Sequence, residues 1–518
     1  MGSKGGVIAA DGQTIRIMNR SFPSLANPHF DLLVCGGGIY GAWTAYDAAL
    51  RGLRVAIVEQ GDWAGATSSA SSKLIHGGLR YLETYDFKLV RKALAERQRL
   101  LANAPHRVWP LRFGVPVYAD SRNGLLKLKA GLTLYDMLAN FPGPVMAHRR
   151  FDREAFAERF AFLSGDKLTG GFTYGDAQTD DARLVLELVA GAMEAGAVCV
   201  NYCRLTGLLE TNGQVCGATL RDMLSGNSVQ VSAKQIVNTT GQWTCDAEQG
   251  REWCRLSKGI HLVLPRLATH GTQADEALLL TAKSDGRVFF IIPWYGMTLL
   301  GTTDTDYRGA LDHVEVEPAD VAYLLAEANH CLKTAWTERD VVGSFAGLRV
   351  MKRSDAASPS AVSRDWELKT AANGAHYSIG GKITSAREDA ACIVDTVCAQ
   401  LNIATPCATK SRRFPWAPEA DYATWSAEVG ARAAQFGIDS ESATWLMRRH
   451  GKQVDAVLCC SRDEMVVHLD DLLRRRMPLL ILAKLADSTL HRCAAIAATA
   501  LNWDEATLER EIAACRQR

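Results

Sequence analysis

The sequence predicts an α/β fold followed by a helical C-terminal region, and three observations lead to this prediction. Residues 30–60 contain an apolar run that ends in a glycine-rich turn, then a helical pattern, then a second apolar run. Residues 198–301 contain short alternating runs separated by turn signals, as in antiparallel sheets. From about residue 413 the strand signals end, and Ala, Leu, Arg and Glu continue at helical spacing.

The glycine-rich turn is the most informative local motif. Gly36, Gly38 and Gly41 have the Gly-x-Gly-x-x-Gly spacing, Gly37 lies between the first two, and Glu59 ends the second apolar run. In this order the glycines let the backbone approach a pyrophosphate at the helix N-terminus, and the acid accepts hydrogen bonds from the ribose hydroxyls. The motif therefore predicts a dinucleotide site. The alternative is an ordinary glycine-rich βα turn.

Length and composition bound the organisation of the chain. For 518 residues, two or three domains are expected. We predict a flexible N-terminal extension at residues 1–29, interleaved cofactor-binding and substrate-binding domains at residues 30–412, and a helical domain at residues 413–518. A net charge of +1 argues against nucleic acid as a partner.

The cysteines and apolar runs bear on the compartment and on metal binding. The 14 cysteines are scattered without a Cys-x-x-Cys pair, which predicts reduced thiols in the cytoplasm and no metal site. The sequence contains no signal-peptide pattern and no run of about 20 apolar residues, so we expect no membrane-spanning segment. Peripheral attachment to a membrane is compatible with this pattern.

Further loop motifs favour a flavin over a nicotinamide cofactor. The segments 65–78 and 380–385, together with Gly241, have the small residues expected where backbone faces a ligand. A nicotinamide cofactor leaves after turnover and binds an uninterrupted sheet, whereas a flavin stays and is enclosed by distant segments. With the β-meander at residues 198–237, these loops predict FAD.

Several motifs resemble those of the FAD-dependent glycerol-3-phosphate dehydrogenases, the respiratory family that reduces quinone. The resemblance covers roughly residues 30–515 and is most specific in the 17-residue segment 67–83. Tyr40 departs from the family pattern, which usually has Asn there. The absence of an Asp-x-Asp-x-Asp-Gly loop disfavours the calcium-regulated form. The matching segments are 36–41, 67–83, 292–294, 301–307, 347–349, 364–365, 380–384, 449–451 and 464–476.

The resemblance implies a glutathione-reductase-like FAD-binding Rossmann domain, a mixed-sheet substrate domain and a C-terminal all-helical domain. It also implies that FAD is bound by the glycine-rich turn, the acid after the second strand and the later small-residue loops. The cofactor-binding candidates are Gly36, Gly37, Gly38, Gly41, Glu59, Thr67, Ser68, Ser72, Lys73, His76, Gly77, Gly241, Gly381 and Thr384.

The family's reaction is the oxidation of sn-glycerol 3-phosphate to dihydroxyacetone phosphate, with hydride transfer to flavin N5. A phosphate dianion needs several cationic donors, and the resemblance supplies four cations and two hydroxyl groups. An isolated arginine is more often a surface cation, but these four cations lie in or beside glycine-rich motifs. The substrate-site candidates are Arg80, Tyr81, Thr303, Arg349, Arg364 and Lys382.

Oxidation of the alcohol also requires a group that accepts the C2 hydroxyl proton. His261 is the first candidate because the ordinary histidine pKa is near neutrality; the alternative is a strand-end histidine bonded to backbone. His76 is the second candidate, although its place in a Ser/Gly-rich segment favours a flavin contact. Arg349 and Lys382 would stabilise the developing alkoxide, so they join His261 as the predicted catalytic residues.

The resemblance further implies quinone as the electron acceptor and a cytoplasmic protein that is peripheral on the inner face of the cytoplasmic membrane. Residues 474–476 and 121–140 are candidate contacts with anionic lipid; the alternatives are a solvated charged face and a half-buried surface helix. A homodimer is compatible with the sequence. The alternative functions are an oxidase that uses oxygen, a flavin enzyme for another hydroxy or amino acid, and a flavin-binding sensor.

Overall fold

The computed structural model describes residues 6–8, 14–16, 18–26, 29–246, 248–267, 276–354, 362, 365–417 and 461–516. Its strands, in chain order, are β1 (Gly6–Ile8), β2 (Thr14–Arg16), β3 (Phe30–Cys35), β4 (Val55–Val58), β5 (Leu74–Ile75), β6 (Val108–Tyr118), β7 (Arg149–Phe151), β8 (Leu168–Thr179), β9 (Val198–Val200), β10 (Cys203–Thr211), β11 (Gln214–Asp222), β12 (Ser228–Asn238), β13 (Cys254–Pro265), β14 (Ala277–Thr281), β15 (Val288–Trp294), β16 (Met297–Gly301), β17 (Thr305–Asp306), β18 (Gly343–Lys352), β19 (Glu367–Thr370) and β20 (His376–Ile379).

Helices alternate with these strands and continue after them. They are α1 (Ile39–Leu50), α2 (Phe87–Asn103), α3 (Leu125–Leu138), α4 (Arg153–Arg159), α5 (Asp181–Glu194), α6 (Glu248–Trp253), α7 (Pro318–Asn329), α8 (Ala386–Gln400), α9 (Leu469–Asp471), α10 (Leu479–Leu482), α11 (Asp487–Leu501) and α12 (Glu505–Arg516).

The predicted dinucleotide-binding unit forms the centre of the first sheet. The strand order is β10-β11-β12-β3-β4-β9, and β20 and β19 are added beside β12. β3 lies parallel to both β4 and β12, so the carboxyl ends of these strands meet at one edge. α1 packs with α5 and α8 over an apolar face that contains Leu32, Val34 and Ile57. The predicted α/β class is confirmed.

The second sheet is mostly antiparallel, and the chain enters it twice. Its strand order is β17-β13-β16-β15-β14-β6-β8-β5, with β18 paired to β13 and β7 paired to β8. One apolar core joins Leu262 and Leu300 of the sheet to Phe156 of α4 and Leu324 of α7. Because β9–β12 of the first sheet lie between the two visits, the sheets are interleaved along the sequence.

The described C-terminal residues 461–516 surround a small apolar core that includes Leu472 and Ile512. Met18 is buried, and its N–H donates to the Asp463 carbonyl at 2.9 Å. Met18 is thus held against this segment, while the flexible extension at residues 1–29 stays a prediction. The domain boundary at residue 413 stays a prediction, because residues 418–460 lie outside the described residues.

The arginine run at residues 474–476 is a structural ion-pair cluster. Arg475 and Arg476 are buried and both bind Asp62, which follows β4. Arg474 donates to Asp470 at 2.7 Å. The prediction of lipid contact is wrong for Arg475 and Arg476, because both are buried in ion pairs, and for Arg474 it stays a prediction. Within the described residues, no helix has both the length and the apolar character to cross a membrane.

Candidate active site

A cavity of about 600 Å³ lies at the edge where the parallel strands of the first sheet end. It extends from the glycine-rich turn to the loop that precedes α8. The structure therefore brings together candidates that are spread over most of the sequence. The predicted site residues in its walls are Gly36, Gly38, Glu59, Thr67, Ser68, Gly241, Arg349, Gly381 and Lys382.

The glycine-rich turn is closely packed on three sides. Gly36 has a φ of +112°, and a Cβ there would lie 2.6 Å from the Thr239 carbonyl oxygen. A Cβ on Gly41 would lie 1.8 Å from the Gly36 carbonyl oxygen. Gly38 is the N-cap of α1 and lines the cavity. Glycine is thus required where β3, α1 and β12 meet, and the helix N-terminus faces the space for a ligand.

Glu59 connects this turn to the loop after β4. Its carboxylate accepts the Gly37 N–H at 2.6 Å and the Gly61 N–H at 2.9 Å. Burial raises the pKa of Glu59, while these backbone hydrogen bonds oppose the shift. Each carboxylate oxygen accepts more than one hydrogen bond, so Glu59 is still able to accept from ribose hydroxyls. Gly37 itself packs against Trp63, whose ring would lie 2.4 Å from a Cβ at that position.

The segment 67–77 contains both cavity-lining residues and residues behind the wall. Thr67 donates to the Leu348 carbonyl at 2.6 Å, and Ser68 accepts the Ile39 N–H at 2.9 Å. The buried Lys73 ammonium donates to Asp181 at 2.6 Å, so this lysine is held by a structural ion pair. The predicted cofactor-binding residues that do not line the described cavity are Gly37, Gly41, Ser72, Lys73, His76, Gly77 and Thr384.

Positive charge is concentrated around the Tyr81 ring. The Lys382 ammonium lies 3.6 Å from the ring centroid, and the Arg80 guanidinium carbon lies 5.1 Å from it. Burial lowers the pKa of Lys382, and Arg80 lowers it further, while Tyr81 opposes the shift. Two cations that repel each other are thus held beside one ring, and their role as a phosphate site stays a prediction.

Arg349 approaches the cavity from the second sheet. It lies on β18, and its guanidinium donates to the Thr303 carbonyl at 3.1 Å and to the Thr302 hydroxyl at 2.8 Å. Thr303 is buried, and its hydroxyl accepts the Ile260 N–H at 3.1 Å. Thr303 therefore helps to position Arg349 and the strand that carries His261. Arg364 lies outside the described residues.

His261 is buried on β13 and forms its hydrogen bond with a side chain. Its Nε2 lies 2.9 Å from the Ser72 hydroxyl oxygen, and its ring stacks on Phe345 at 4.9 Å between centroids. Burial lowers the pKa of His261 well below its ordinary value, and Arg349 and Lys73 add to this effect. Among the described residues, Nδ1 has no hydrogen-bond partner. The imidazole is thus neutral, with one protonated nitrogen and one free lone pair, and the tautomer depends on whether Nε2 donates to Ser72 or accepts from it.

His76 is a second neutral imidazole, close to the cations. Burial, followed by Lys382 and Arg80, lowers the pKa of His76 to about 3. Its backbone N–H donates to the Thr384 hydroxyl at 3.1 Å. Both cations beside the Tyr81 ring thus disfavour the charged form of His76.

Comparisons with known proteins agree with this geometry. A family model described as FAD dependent oxidoreductase (DAO) matches residues 31–387. The chain belongs to this family. Within the family, it is 38% identical over 420 residues to the glycerol-3-phosphate dehydrogenase of Synechocystis sp., covering 77% of this chain and 75% of that protein. It is 34% identical over 493 residues to the aerobic glycerol-3-phosphate dehydrogenase of Bacillus subtilis, covering 90% and 87%. The predicted family resemblance is confirmed.

The similarity to one solved structure covers nearly the whole of this chain. The glycerol-3-phosphate dehydrogenase of Bacillus halodurans, complexed with FAD, superposes with a TM-score of 0.76 at 27% identity and covers 96% of this chain and 95% of that chain. The cavity described above fits the same cofactor, because glycine leaves room at the turn, the α1 N-terminus faces inward and Glu59 lies beside the turn as an acceptor for ribose hydroxyls. FAD as the cofactor is therefore confirmed.

Sequence reasoning missed the groups that fix the far wall of the cavity. In the sequence Tyr40 is only a departure from the family pattern, yet its hydroxyl donates to Asp389 and accepts the Lys382 backbone N–H. Asp389 lies in the first turn of α8 and has no motif of its own. The only available signal was its acidic character at a helix N-terminus, which is common in helices without function.

Proposed function

We propose that this protein oxidises sn-glycerol 3-phosphate to dihydroxyacetone phosphate and passes the electrons to quinone. The main support for this proposal is the cluster of Arg80 and Lys382 around the Tyr81 ring. The cavity that fits FAD is lined by Lys382 and by Arg349. The identity to two glycerol-3-phosphate dehydrogenases over most of the chain supports the same substrate. Bound FAD would accept the hydride from C2 at flavin N5.

We assign the binding of the substrate phosphate to the cations. Arg80 and Lys382 would neutralise the dianion, and Arg349 would approach it from the opposite sheet. Charge-assisted hydrogen bonds of this kind are worth about 1.5–3 kcal/mol each. Because Arg349 already donates to Thr302 and Thr303, its direction is fixed before substrate arrives.

We assign to His261 the role of the base that accepts the C2 hydroxyl proton. This role requires the tautomer in which Nε2–H donates to Ser72, because Nδ1 then carries the lone pair that accepts the proton. The nearby Arg349 and Lys73 disfavour the imidazolium that forms, so the proton must leave again before the next turnover. The same positive charges stabilise the alkoxide character that develops at the substrate oxygen.

An anaerobic titration of the holoprotein tests the substrate assignment. Glycerol 3-phosphate should bleach the flavin absorbance stoichiometrically, and glycerol should not, because it lacks the phosphate that the cations bind. A flavin that stays oxidised with glycerol 3-phosphate would refute the proposal. Release of hydrogen peroxide in air at the full turnover rate would reassign the electron acceptor from quinone to oxygen.

A surface patch supports contact with a membrane, where quinone is dissolved. The predicted segment 121–140 forms α3, which packs against α2 and presents apolar side chains to solvent. Exposed cations at residues 88, 122, 127 and 129 accompany them, as in interfacial helices. The exposed apolar side chains are Tyr85, Phe87, Leu126, Met137, Phe141 and Val145. We assign this patch to the inner face of the cytoplasmic membrane.

Vesicle sedimentation tests the patch. The holoprotein should bind vesicles that contain phosphatidylglycerol and should be released by salt, because the cations supply part of the attraction. Leu126→Glu should abolish binding while leaving flavin reduction by glycerol 3-phosphate unchanged. Leu224→Glu is the matched control, since Leu224 is also exposed but lies at the hairpin between β11 and β12. Equal binding of the two variants would contradict the assignment.

A further inference from the structure

Tyr40 occupies a position between the glycine-rich turn and the loop that carries Lys382. It is the second residue of α1 and lines the cavity. Its hydroxyl donates to Asp389 at 2.8 Å and accepts the Lys382 backbone N–H at 3.0 Å. One phenol therefore connects the start of α1 to both the 380–382 loop and the first turn of α8.

The 380–382 loop is shaped around this phenol. Gly380 and Gly381 have φ values of +76° and +91°, which side-chain-bearing residues rarely adopt. A Cβ on Gly381 would lie 1.7 Å from the Tyr40 hydroxyl oxygen. The loop thus passes directly over the hydroxyl, and its path depends on the hydrogen bond that the hydroxyl accepts.

The direction of the Tyr40 hydroxyl is itself fixed by Asp389. The Asp389 side chain is buried and also receives hydrogen bonds from Lys92 and from the Ser385 hydroxyl, the latter at 2.9 Å. A phenol has one proton, and the charged Asp389 oxygen at 2.8 Å is a stronger acceptor for it than the Lys382 carbonyl oxygen at 3.4 Å. The oxygen lone pairs are therefore left to accept the Lys382 N–H, so the hydroxyl cannot turn away without losing a bond to a buried acid.

We propose that Tyr40 is a positioning residue, which holds the 380–382 loop so that the Lys382 ammonium stays at the substrate phosphate site. The inference rests on the proposed function, because it takes that cation to be a phosphate ligand. The Lys382 ammonium lies 3.6 Å from the Tyr81 ring centroid, and the backbone that Tyr40 binds is the point from which this side chain extends. Tyr40 makes no contact with the phosphate in this role, and its effect reaches the substrate through Lys382.

Calorimetric titration of the holoprotein with dihydroxyacetone phosphate tests the role, because the product binds without turnover. Tyr40→Phe keeps the ring and removes the hydroxyl, and it should raise the dissociation constant about tenfold, as expected for one lost hydrogen bond. The limiting rate of flavin reduction should change less than twofold. Tyr46→Phe, a buried tyrosine on the same helix, is the matched control and should bind as the unaltered protein does.

A double-mutant cycle separates positioning from general structural support. In a Lys382→Ala protein, Tyr40→Phe should have almost no further effect on the dissociation constant, because the group that it positions is gone. A full tenfold effect in that background would overturn the proposal, as would an unchanged constant for Tyr40→Phe alone. Loss of FAD from Tyr40→Phe with normal product binding after reconstitution would also overturn it. Failure of the unaltered holoprotein to bind dihydroxyacetone phosphate would instead refute the proposed function.

Discussion

Replacing His261 with Asn tests whether the imidazole accepts the C2 hydroxyl proton. The His261 Nε2 lies 2.9 Å from the Ser72 hydroxyl oxygen, and an asparagine amide at this position still offers polar atoms toward Ser72. An amide cannot take up a proton near neutral pH. The substitution therefore removes the base and retains much of the polarity, in a side chain of smaller volume that does not stack on Phe345.

The expected loss follows from the environment of the ring. Burial, Arg349 and Lys73 hold the pKa of His261 well below its ordinary value, so the neutral form is present throughout the neutral range. Removal of a positioned general base costs about 10²–10⁴-fold in rate, or about 3–5 kcal/mol in activation free energy. Since the folded pKa is lowered, the rate in the unaltered protein should show no loss from His261 protonation as the pH falls to about 6.5.

Stopped-flow absorbance of the flavin under anaerobic conditions measures this effect directly. His261→Asn should lower the limiting rate of flavin reduction by glycerol 3-phosphate and leave the substrate dissociation constant nearly unchanged. His76→Asn is the parallel variant, because His76 is also buried and neutral. A near-normal rate for His261→Asn together with a large loss for His76→Asn would refute the reasoning and transfer the role.

Three further predictions concern binding and stability. Arg349→Ala should raise the glycerol 3-phosphate dissociation constant about 10- to 100-fold in flavin titrations; an unchanged constant would remove Arg349 from the phosphate site. The pKa of His76 in the folded protein is lowered to about 3, so below about pH 6.5 the unfolded chain binds a proton that the folded protein does not. The free energy of unfolding should therefore fall with pH, by about 2 kcal/mol at pH 5. His76→Asn should flatten this loss in denaturation midpoints, and equal slopes would contradict it. Asp62→Asn should lower the free energy of unfolding by about 3–5 kcal/mol, because Arg475 and Arg476 stay buried without the acid that they share. Its thermal midpoint should lie below that of Asp487→Asn, a control in which the lost ion pair is exposed.

The arginine run shows where local sequence patterns stop being informative. Three adjacent cations at residues 474–476 have the pattern of a solvated or lipid-binding face. The structure instead places the Arg476 guanidinium beside Asp62, 414 positions away, with a 2.9 Å hydrogen bond to Oδ1. A pattern within ten residues contains no information about an acid so distant, and burial reverses the meaning of the charges.

The central unit of the fold was predictable because its determinants are local. The apolar runs at β3 and β4, the glycines between them and Glu59 lie within 30 residues, and steric limits on the turn restrict what each position is able to hold. The hairpin of β15 and β16 was predictable for the same reason, since its strands are adjacent in the sequence.

The sequence alone therefore determined the cofactor unit and the family and supplied the candidate residues of the site, because motifs and short-range periodicity depend on neighbouring residues. Only the tertiary structure decided which of these residues meet. It placed Lys73 in an ion pair with Asp181, joined Tyr40 to the Lys382 backbone across 342 positions, and buried both candidate histidines as neutral groups. Hydrogen-bond partners and local dielectric arise from packing between distant segments, and packing is set by the whole chain.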